Sequence, residues 1–147
     1  MKMTLPNEIL LAEVNRMLQE GHPVIIMAKG NSMLPFIRGG KDNVELVRNS
    51  NPAVGDLALC EIAPGHYVLH RIIRIKDGTI TMKGDGNLRG TEQCRLEKLC
   101  GTVTDIIRPS GRRISVNTAR FRRRSRLWAK MPYIIRRYSL AVYRRIA

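Results

Sequence analysis

Two side chains of this sequence, a serine and a histidine, could together carry out nucleophilic chemistry. Ser32 lies in the turn Gly30-Asn31-Ser32-Met33-Leu34-Pro35, directly after the apolar run 24–28. A serine hydroxyl attacks a carbonyl when a base takes its proton and fixed N–H dipoles receive the oxyanion. A tight turn lets the serine's own amide serve as one such dipole, although serine between glycine and proline is also an ordinary turn residue. The turn makes Ser32 a candidate nucleophile.

A base and an acid follow Ser32 along the chain. His70 stands in the apolar stretch 67–75, which predicts a strand. Imidazole, with an ordinary pKa near ~6.5, can accept a serine proton at neutral pH. Asp85 lies in a glycine turn, and an acid at the second imidazole nitrogen would fix its tautomer and stabilise the imidazolium. These residues predict a triad of Ser32, His70 and Asp85, with Asp56 as a competing acid.

Four short segments surround these residues: Gly30-x-Ser32-Met33-x-Pro35, Gly55-Asp56-Leu57, His70-Arg71-Ile72 and Lys83-Gly84-Asp85-x-Asn87. In order and spacing they resemble the peptidase domain shared by type I signal peptidases and LexA-type repressors, over residues 24–107. The match is closest to the serine–histidine signal peptidases of the endoplasmic reticulum, archaea and some Gram-positive bacteria. Bacterial housekeeping signal peptidases and LexA-type proteins have a lysine where this sequence has His70.

The resemblance implies a serine endopeptidase that cleaves a precursor or signal-type peptide. It favours Asp85 over Asp56 as the acid that orients His70, because the Gly-Asp pair of the second segment has a structural character in the family pattern. Many serine–histidine relatives carry a further acid shortly after the Gly-Asp-x-Asn segment. The nearest such residue here is Glu92, and its role stays open.

The resemblance also predicts how the oxyanion and the substrate would be bound. Bacterial housekeeping signal peptidases often have a serine at the position of Gly30, where it helps to bind the oxyanion. Without that hydroxyl, backbone N–H groups, chiefly that of Ser32, would have to bind the oxyanion. A substrate peptide would lie as an extended strand along the edge that holds Met33. No cofactor and no metal is expected for this chemistry.

Short apolar segments separated by turn residues predict a mainly β, coiled antiparallel fold. The predicted strands are 24–28, 43–47, 57–62, 67–75, 79–82, 99–107 and 114–116. We expect three parts: an amphipathic helix in residues 1–21, the signal-peptidase-like β domain in residues 22–117, and a basic helical tail in residues 118–147. The three cysteines show no metal-type pairing and favour reduced thiols that fill space.

The first twenty residues predict a helix, with Thr4 as a possible N-cap and Pro6 near the first helical position. Its apolar residues at helical spacing are Ile9, Leu10, Val14, Met17 and Leu18. Charged residues interrupt it, so it predicts neither a membrane span nor a secretory signal. These features favour a cytoplasmic protein, either free or bound peripherally to a membrane. Signal peptidases, by contrast, usually carry a membrane anchor before the serine.

Basic residues are concentrated in the last part of the chain. Of the 26 Lys and Arg residues, 13 lie after Ile107, where none of the 12 Asp and Glu residues is found. In the tail, apolar residues recur at helical spacing: Trp128, Met131, Ile135, Tyr138 and Val142. Pro132 is expected to divide the tail into two helices. The pattern favours an anionic membrane surface as partner and nucleic acid less; alternatively, the apolar stripe docks on the β domain and the arginines are simply solvated.

Two other functions stay open beside the peptidase. The chain could be a LexA-like regulator that cleaves itself and binds nucleic acid through the basic tail. The short stretch before Ser32 and the absence of a lysine at position 70 argue against this alternative. The domain could also be a non-catalytic module that recognises peptides. The substrate, its cleavage motif and the oligomeric state do not follow from the sequence.

Overall fold

A computed structural model of the protein describes residues 2–3, 8–87 and 90–146. The strands are β1 (Lys2–Met3), β2 (Val24–Met27), β3 (Asn43–Val47), β4 (Leu57–Ala63), β5 (His66–Lys76), β6 (Thr79–Lys83), β7 (Glu92–Arg95), β8 (Leu99–Ile107) and β9 (Arg113–Ser115). The helices are α1 (Glu8–Gln19), α2 (Ala119–Lys130) and α3 (Tyr133–Ile146), and Leu96–Lys98 forms one 3-10 turn.

Within the described residues the strands form one sheet in the order β1-β2-β3-β8-β4-β5-β6-β7, with β9 paired to β8. Every pair is antiparallel except β1 with β2. Register shifts interrupt four of these pairs, and bulges of this kind bend and twist strands. Because β4 also contacts β7, three places away in the sheet order, the sheet curls back on itself. The predicted mainly β fold is confirmed.

The element predictions agree with the structure except at two strands. The predicted bounds of β3 and β8 match those observed, and α1 forms where the helical spacing indicated it. The strands β1 and β7 were not expected from the sequence. Thr4 and Pro6, the predicted start signals of α1, lie outside the described residues.

Two apolar clusters fill the interior of the sheet. The larger one packs α1 against β2, β3 and β8, with Val14, Leu18 and Leu46 fully buried at its centre. The smaller one lies inside the curl of β4 to β7 and comprises Ala58, Cys60, Ile72, Ile80, Met82 and Cys94. The histidine strand β5 contributes to the wall between them, so both clusters hold it in place.

All three cysteines are free and buried. Burial raises the pKa of the Cys100 thiol to about 12. A hydrogen bond with Cys94 raises the pKa of Cys60 and lowers that of Cys94, which is also the thiol that lines a surface cleft. Because the thiolate is the reactive form, the raised pKa values make Cys60 and Cys100 the least reactive of the three thiols toward alkylation.

We expect iodoacetamide at about pH 8 to alkylate Cys94 first in the folded protein. Cys60 and Cys100 should react at least about a hundredfold more slowly than in the urea-unfolded chain, because both are buried and protonated. Mass spectrometry of tryptic peptides against time measures the three rates separately. Fast alkylation of Cys100 in the folded protein would contradict the core described here.

The C-terminal segment forms two helices that separate at Pro132, as predicted. Helix α2 begins after Thr118, whose hydroxyl accepts a hydrogen bond from the Phe121 N–H at 3.1 Å. Its two aromatic side chains turn inward: Phe121 joins the larger cluster, and Trp128 packs with Leu34. Helix α2 therefore docks on the β domain. No helix in the described part of the chain is long and apolar enough to cross a membrane.

Replacing Phe121 with alanine should lower the free energy of unfolding by about 3–5 kcal/mol, since it removes a buried aromatic ring and leaves a cavity. Leu127→Ala on the same helix is the matched control, because Leu127 is 58% exposed and its loss should cost less than about 1 kcal/mol. Urea unfolding followed by circular dichroism measures both. Equal losses in the two variants would show that α2 is not docked through Phe121.

Candidate active site

Ser32 is carried by a loop that leaves the sheet after β2 and returns at β3. The loop closes at its base, where the Ala28 N–H donates to the Asp42 carbonyl at 3.0 Å and the Gly40 N–H donates to the Ala28 carbonyl at 2.8 Å. Ser32 itself lies in the turn within which the Leu34 N–H donates to the Asn31 carbonyl at 3.2 Å. The end of a sheet strand therefore fixes where the serine turn starts, as the sequence predicted.

The loop is anchored by Asp42, a fully buried carboxylate that sequence reasoning missed. It accepts the Arg38 backbone N–H at 2.8 Å and the Arg38 guanidinium at 3.0 Å. The Arg108 guanidinium, from the residue after β8, also donates to Asp42, and reaches the Phe36 carbonyl at 3.2 Å. A buried charge is tolerated when it is paired and fully hydrogen-bonded, so this cluster ties the serine loop to the sheet.

The turn that contains Asp85 lies directly against the serine turn. The Gly86 N–H donates to the Ser32 carbonyl at 2.7 Å. A Cβ atom added at Gly84 would lie 2.4 Å from the same carbonyl oxygen, so no larger residue fits unless the two turns separate. Because glycine has no Cβ atom, Gly84 and Gly86 let the backbone of this turn approach the backbone of the serine turn closely.

His70 is buried on β5, and its Nδ1 atom is hydrogen-bonded to the carboxylate of Glu92. Glu92 is the first residue of β7, which reaches β5 through β6 in the sheet. A carboxylate on Nδ1 fixes the imidazole tautomer and leaves Nε2 to exchange protons with a substrate or nucleophile. His70 and Glu92 therefore have the arrangement of a base and its orienting acid.

Ser32 and His70 line the same cavity, which has a volume of about 320 Å³. The other lining residues are mostly apolar: Leu11, Ile26, Met27, Ala28, Lys29, Gly30, Met33, Ile37, Leu59, His66, Tyr67, Val68 and Leu69. Within the described residues no hydrogen bond joins the Ser32 hydroxyl to His70. Catalytic hydrogen bonds in ligand-free enzymes are often long and shorten only around a substrate. The structure brings the serine and the histidine to one apolar cavity.

The prediction that Asp85 orients His70 is wrong in this structure. Both carboxylate oxygens of Asp85 accept from the Arg71 guanidinium, each at 2.8 Å, and Glu92 holds His70 instead. Burial raises the pKa of Asp85, while Arg71 and, more weakly, His70 act to lower it. Asp85 pairs with Arg71 rather than with His70 because Arg71, next to His70 in β5, is also buried and needs a carboxylate partner.

Arg71 joins several parts of the molecule. It donates to the Gly55 carbonyl at 3.0 Å. Its guanidinium carbon lies 5.3 Å from the ring centre of Phe36 and 6.0 Å from that of Phe121. The two rings meet edge to face, with their centres 5.4 Å apart. Cation–π contacts of this kind gain strength when water is excluded, so Arg71 is held by charge and by aromatic faces together.

Helix α2 reaches the Asp85 turn directly. The Trp128 indole N–H donates to the Asp85 carbonyl at 2.9 Å. Phe121 of the same helix lies beside Arg71, the partner of the Asp85 side chain. The C-terminal helix therefore supports both the backbone and the side chain of the turn that packs on Ser32.

The remaining candidate residues fall into two groups. Gly30, with a φ of 71°, and the buried Met33 both line the cavity with Ser32, and their predicted part in binding the oxyanion or the substrate stays a prediction. Asp56 accepts the Ala53 N–H at 2.9 Å and caps a turn, which is a structural role.

In the described part of the chain, no group of three or more His, Cys, Asp or Glu side chains could hold a metal ion. No protein-family model and no curated protein matches this chain. What the site does must therefore be argued from its own geometry.

The buried pair of Arg71 and Asp85 yields a double-mutant test. Arg71→Met or Asp85→Leu alone should lower the free energy of unfolding by about 3–5 kcal/mol, because each leaves an uncompensated buried charge. The double variant should lose at least about 2 kcal/mol less than the sum of the two single losses. Urea unfolding of the four proteins measures the coupling. Additive losses would show that the two side chains do not depend on each other.

Proposed function

We propose that the protein is a serine endopeptidase in which Ser32 is the nucleophile and His70 the general base. The observation that carries the proposal is the shared cavity. Ser32 lines it together with His70, whose Nδ1 atom is hydrogen-bonded to the carboxylate of Glu92. In this proposal Glu92 takes the orienting role, and Asp85 acts as a structural residue through Arg71.

The reaction follows from these positions. The Ser32 hydroxyl adds to the carbonyl carbon of the scissile peptide bond while His70 Nε2 takes its proton. The Glu92 carboxylate stabilises the imidazolium that forms. His70 then returns the proton to the leaving amine, which departs as the acyl-enzyme forms. A water molecule attacks the acyl-enzyme, again with His70 as base, and releases the carboxyl product together with the free serine.

The oxyanion of the addition step needs N–H donors, because Gly30 carries no hydroxyl. In this proposal the Ser32 amide is the chief donor, and the positive φ of Gly30 sets the direction of the preceding backbone. The proposal therefore relies on backbone groups for the oxyanion.

A substrate peptide has an open strand edge beside the cavity. In the described residues β6 pairs with β5 only between Arg71 and Lys76, whereas the segment 66–69 of β5 lines the cavity. An extended peptide could add to this edge through main-chain hydrogen bonds and place alternate side chains in the cavity. The apolar lining favours small or apolar side chains next to the cleaved bond.

We expect new protein N-termini in cells that express the wild-type chain and none in cells that express Ser32→Ala or His70→Ala. Glu92→Gln should lower the cleavage rate by roughly 10²–10⁴-fold, since it removes the charge that stabilises the imidazolium. Profiling of N-terminal peptides by mass spectrometry measures all four and gives the cleavage motif.

Ser50→Ala is the matched control, because Ser50 is an exposed serine outside the cavity, and its profile should equal that of the wild type. Identical profiles for the wild type and Ser32→Ala, with both proteins folded and equally abundant, would refute the peptidase. A new N-terminus within this chain alone would instead indicate the self-cleaving regulator.

A further inference from the structure

Helix α3 has apolar side chains on two opposite faces. On one face Leu140 is buried beside Trp128 and Leu34. On the other lie five exposed residues, here called the outer face: Ile134, Ile135, Tyr138, Val142 and Ile146. At about 100° per residue they fall within an arc of about 120° centred opposite Leu140. Three of them, Ile134, Tyr138 and Ile146, are exposed by 78%, 75% and 70%.

An exposed stripe of this size indicates a second apolar medium or partner. A helix that had only to dock on the β domain would carry polar residues on its outer side. On the docked face of α3, Leu140 already packs against Trp128 and Leu34. The most exposed residues of the outer face are therefore free to contact a partner, and contiguous apolar surface that is exposed in this way marks an interaction site.

The charges around the outer face restrict what can cover it. Arg145 is exposed and falls within the arc of the outer face, whereas Arg137 and Arg144, also exposed, lie about 60° and about 40° from Leu140 on the flank of the helix. The segment after Ile107 holds 13 of the 26 basic residues and no acidic one. A partner must offer apolar contact and negative charge at the same place.

Two kinds of partner meet only one of these conditions. A second copy of this chain would bring an equally cationic helix to the interface, and the like charges would repel. Nucleic acid would pair its phosphates with the arginines but would leave the aliphatic side chains of Ile134, Ile135 and Ile146 uncovered. An anionic bilayer meets both conditions, because headgroups bind the arginines and acyl chains accept the aliphatic residues.

We propose that the outer face of α3 docks on the surface of an anionic lipid bilayer, with the helix axis in the plane of the interface. The helix has 14 residues, or about 21 Å at 1.5 Å per residue, which is shorter than the ~30 Å hydrocarbon core. Four arginines along it also exclude a spanning orientation. Since Leu140 packs on Trp128 and Leu34, docking would hold the Ser32 loop at a fixed orientation to the membrane.

Flotation with vesicles tests the proposal. The full-length protein should float with phosphatidylcholine vesicles that contain about 30 mol% phosphatidylserine, and not with phosphatidylcholine alone. The double variant Ile134→Ser/Tyr138→Ser should bind the anionic vesicles at least about tenfold more weakly. Arg144→Gln/Arg145→Gln should also bind at least about tenfold more weakly, with a smaller dependence on salt.

Matched controls lie on the β domain. Val54→Ser/Leu96→Ser removes two exposed apolar residues there, and Arg74→Gln/Lys76→Gln removes two exposed charges there. Both should bind the vesicles like the wild type. Circular dichroism should show that every variant keeps the wild-type helix content, which is expected because all the replaced side chains are exposed.

Three results would overturn the proposal. One is equal binding of Ile134→Ser/Tyr138→Ser and the wild type to the anionic vesicles. Another is binding to a DNA duplex without binding to the vesicles. The third is a dimer in analytical ultracentrifugation that the same double variant dissociates, which would assign the outer face to a second copy. Vesicle binding is measured without any cleavage, so failure here leaves the proposed peptidase untouched.

Discussion

The ion pair between Arg71 and Asp85 is the contact on which the site depends. Arg71 is fixed by a carboxylate, a carbonyl and two aromatic rings that come from four different parts of the chain. Asp85 in turn sits on the backbone that presses against Ser32. Two buried charges repay their desolvation only when geometry and further hydrogen bonds are good, and here both are supplied. Through this pair, the contacts of α2 and of Phe36 help to fix where the turns that carry Ser32 and Asp85 lie relative to His70.

Three acids of the β domain, the buried Asp42 and Asp85 and the partly buried Glu92, each lie beside a cation or a group that can become one. Asp42 has Arg38 and Arg108, Asp85 has Arg71, and Glu92 has His70. The first two pairs fasten the loops around the site. The third contains a histidine, the side chain that most often transfers protons in catalysis. The same pairing thus gives two structural clamps and one group suited to moving protons.

The sequence predicted the strands of this fold well, because most of them alternate or run apolar between clear turn residues, as in 43–47 and 99–107. It did not predict β7, whose segment Glu-Gln-Cys-Arg places only Cys94 in the core. Without β7 the role of Glu92 stayed open in the sequence, since Glu92 reaches His70 only through the pairing of β7 with β6. Asp85 was the nearer acid in a recognisable motif, but spacing along a chain does not show which acid a buried arginine will take.

The two C-terminal helices show why composition alone did not decide whether the tail docks on the β domain or faces a partner. Both are rich in arginine, yet α2 carries few large apolar residues, and its Phe121 and Trp128 are buried on the β domain. Helix α3 carries apolar residues nearly all round and buries only Leu140 among them. Helix α2 therefore docks through its two large aromatic residues, whereas α3 docks through Leu140 and leaves most of its other large apolar residues exposed. Pro132 makes this division possible, because it ends α2 and lets α3 begin anew and present its own outer face.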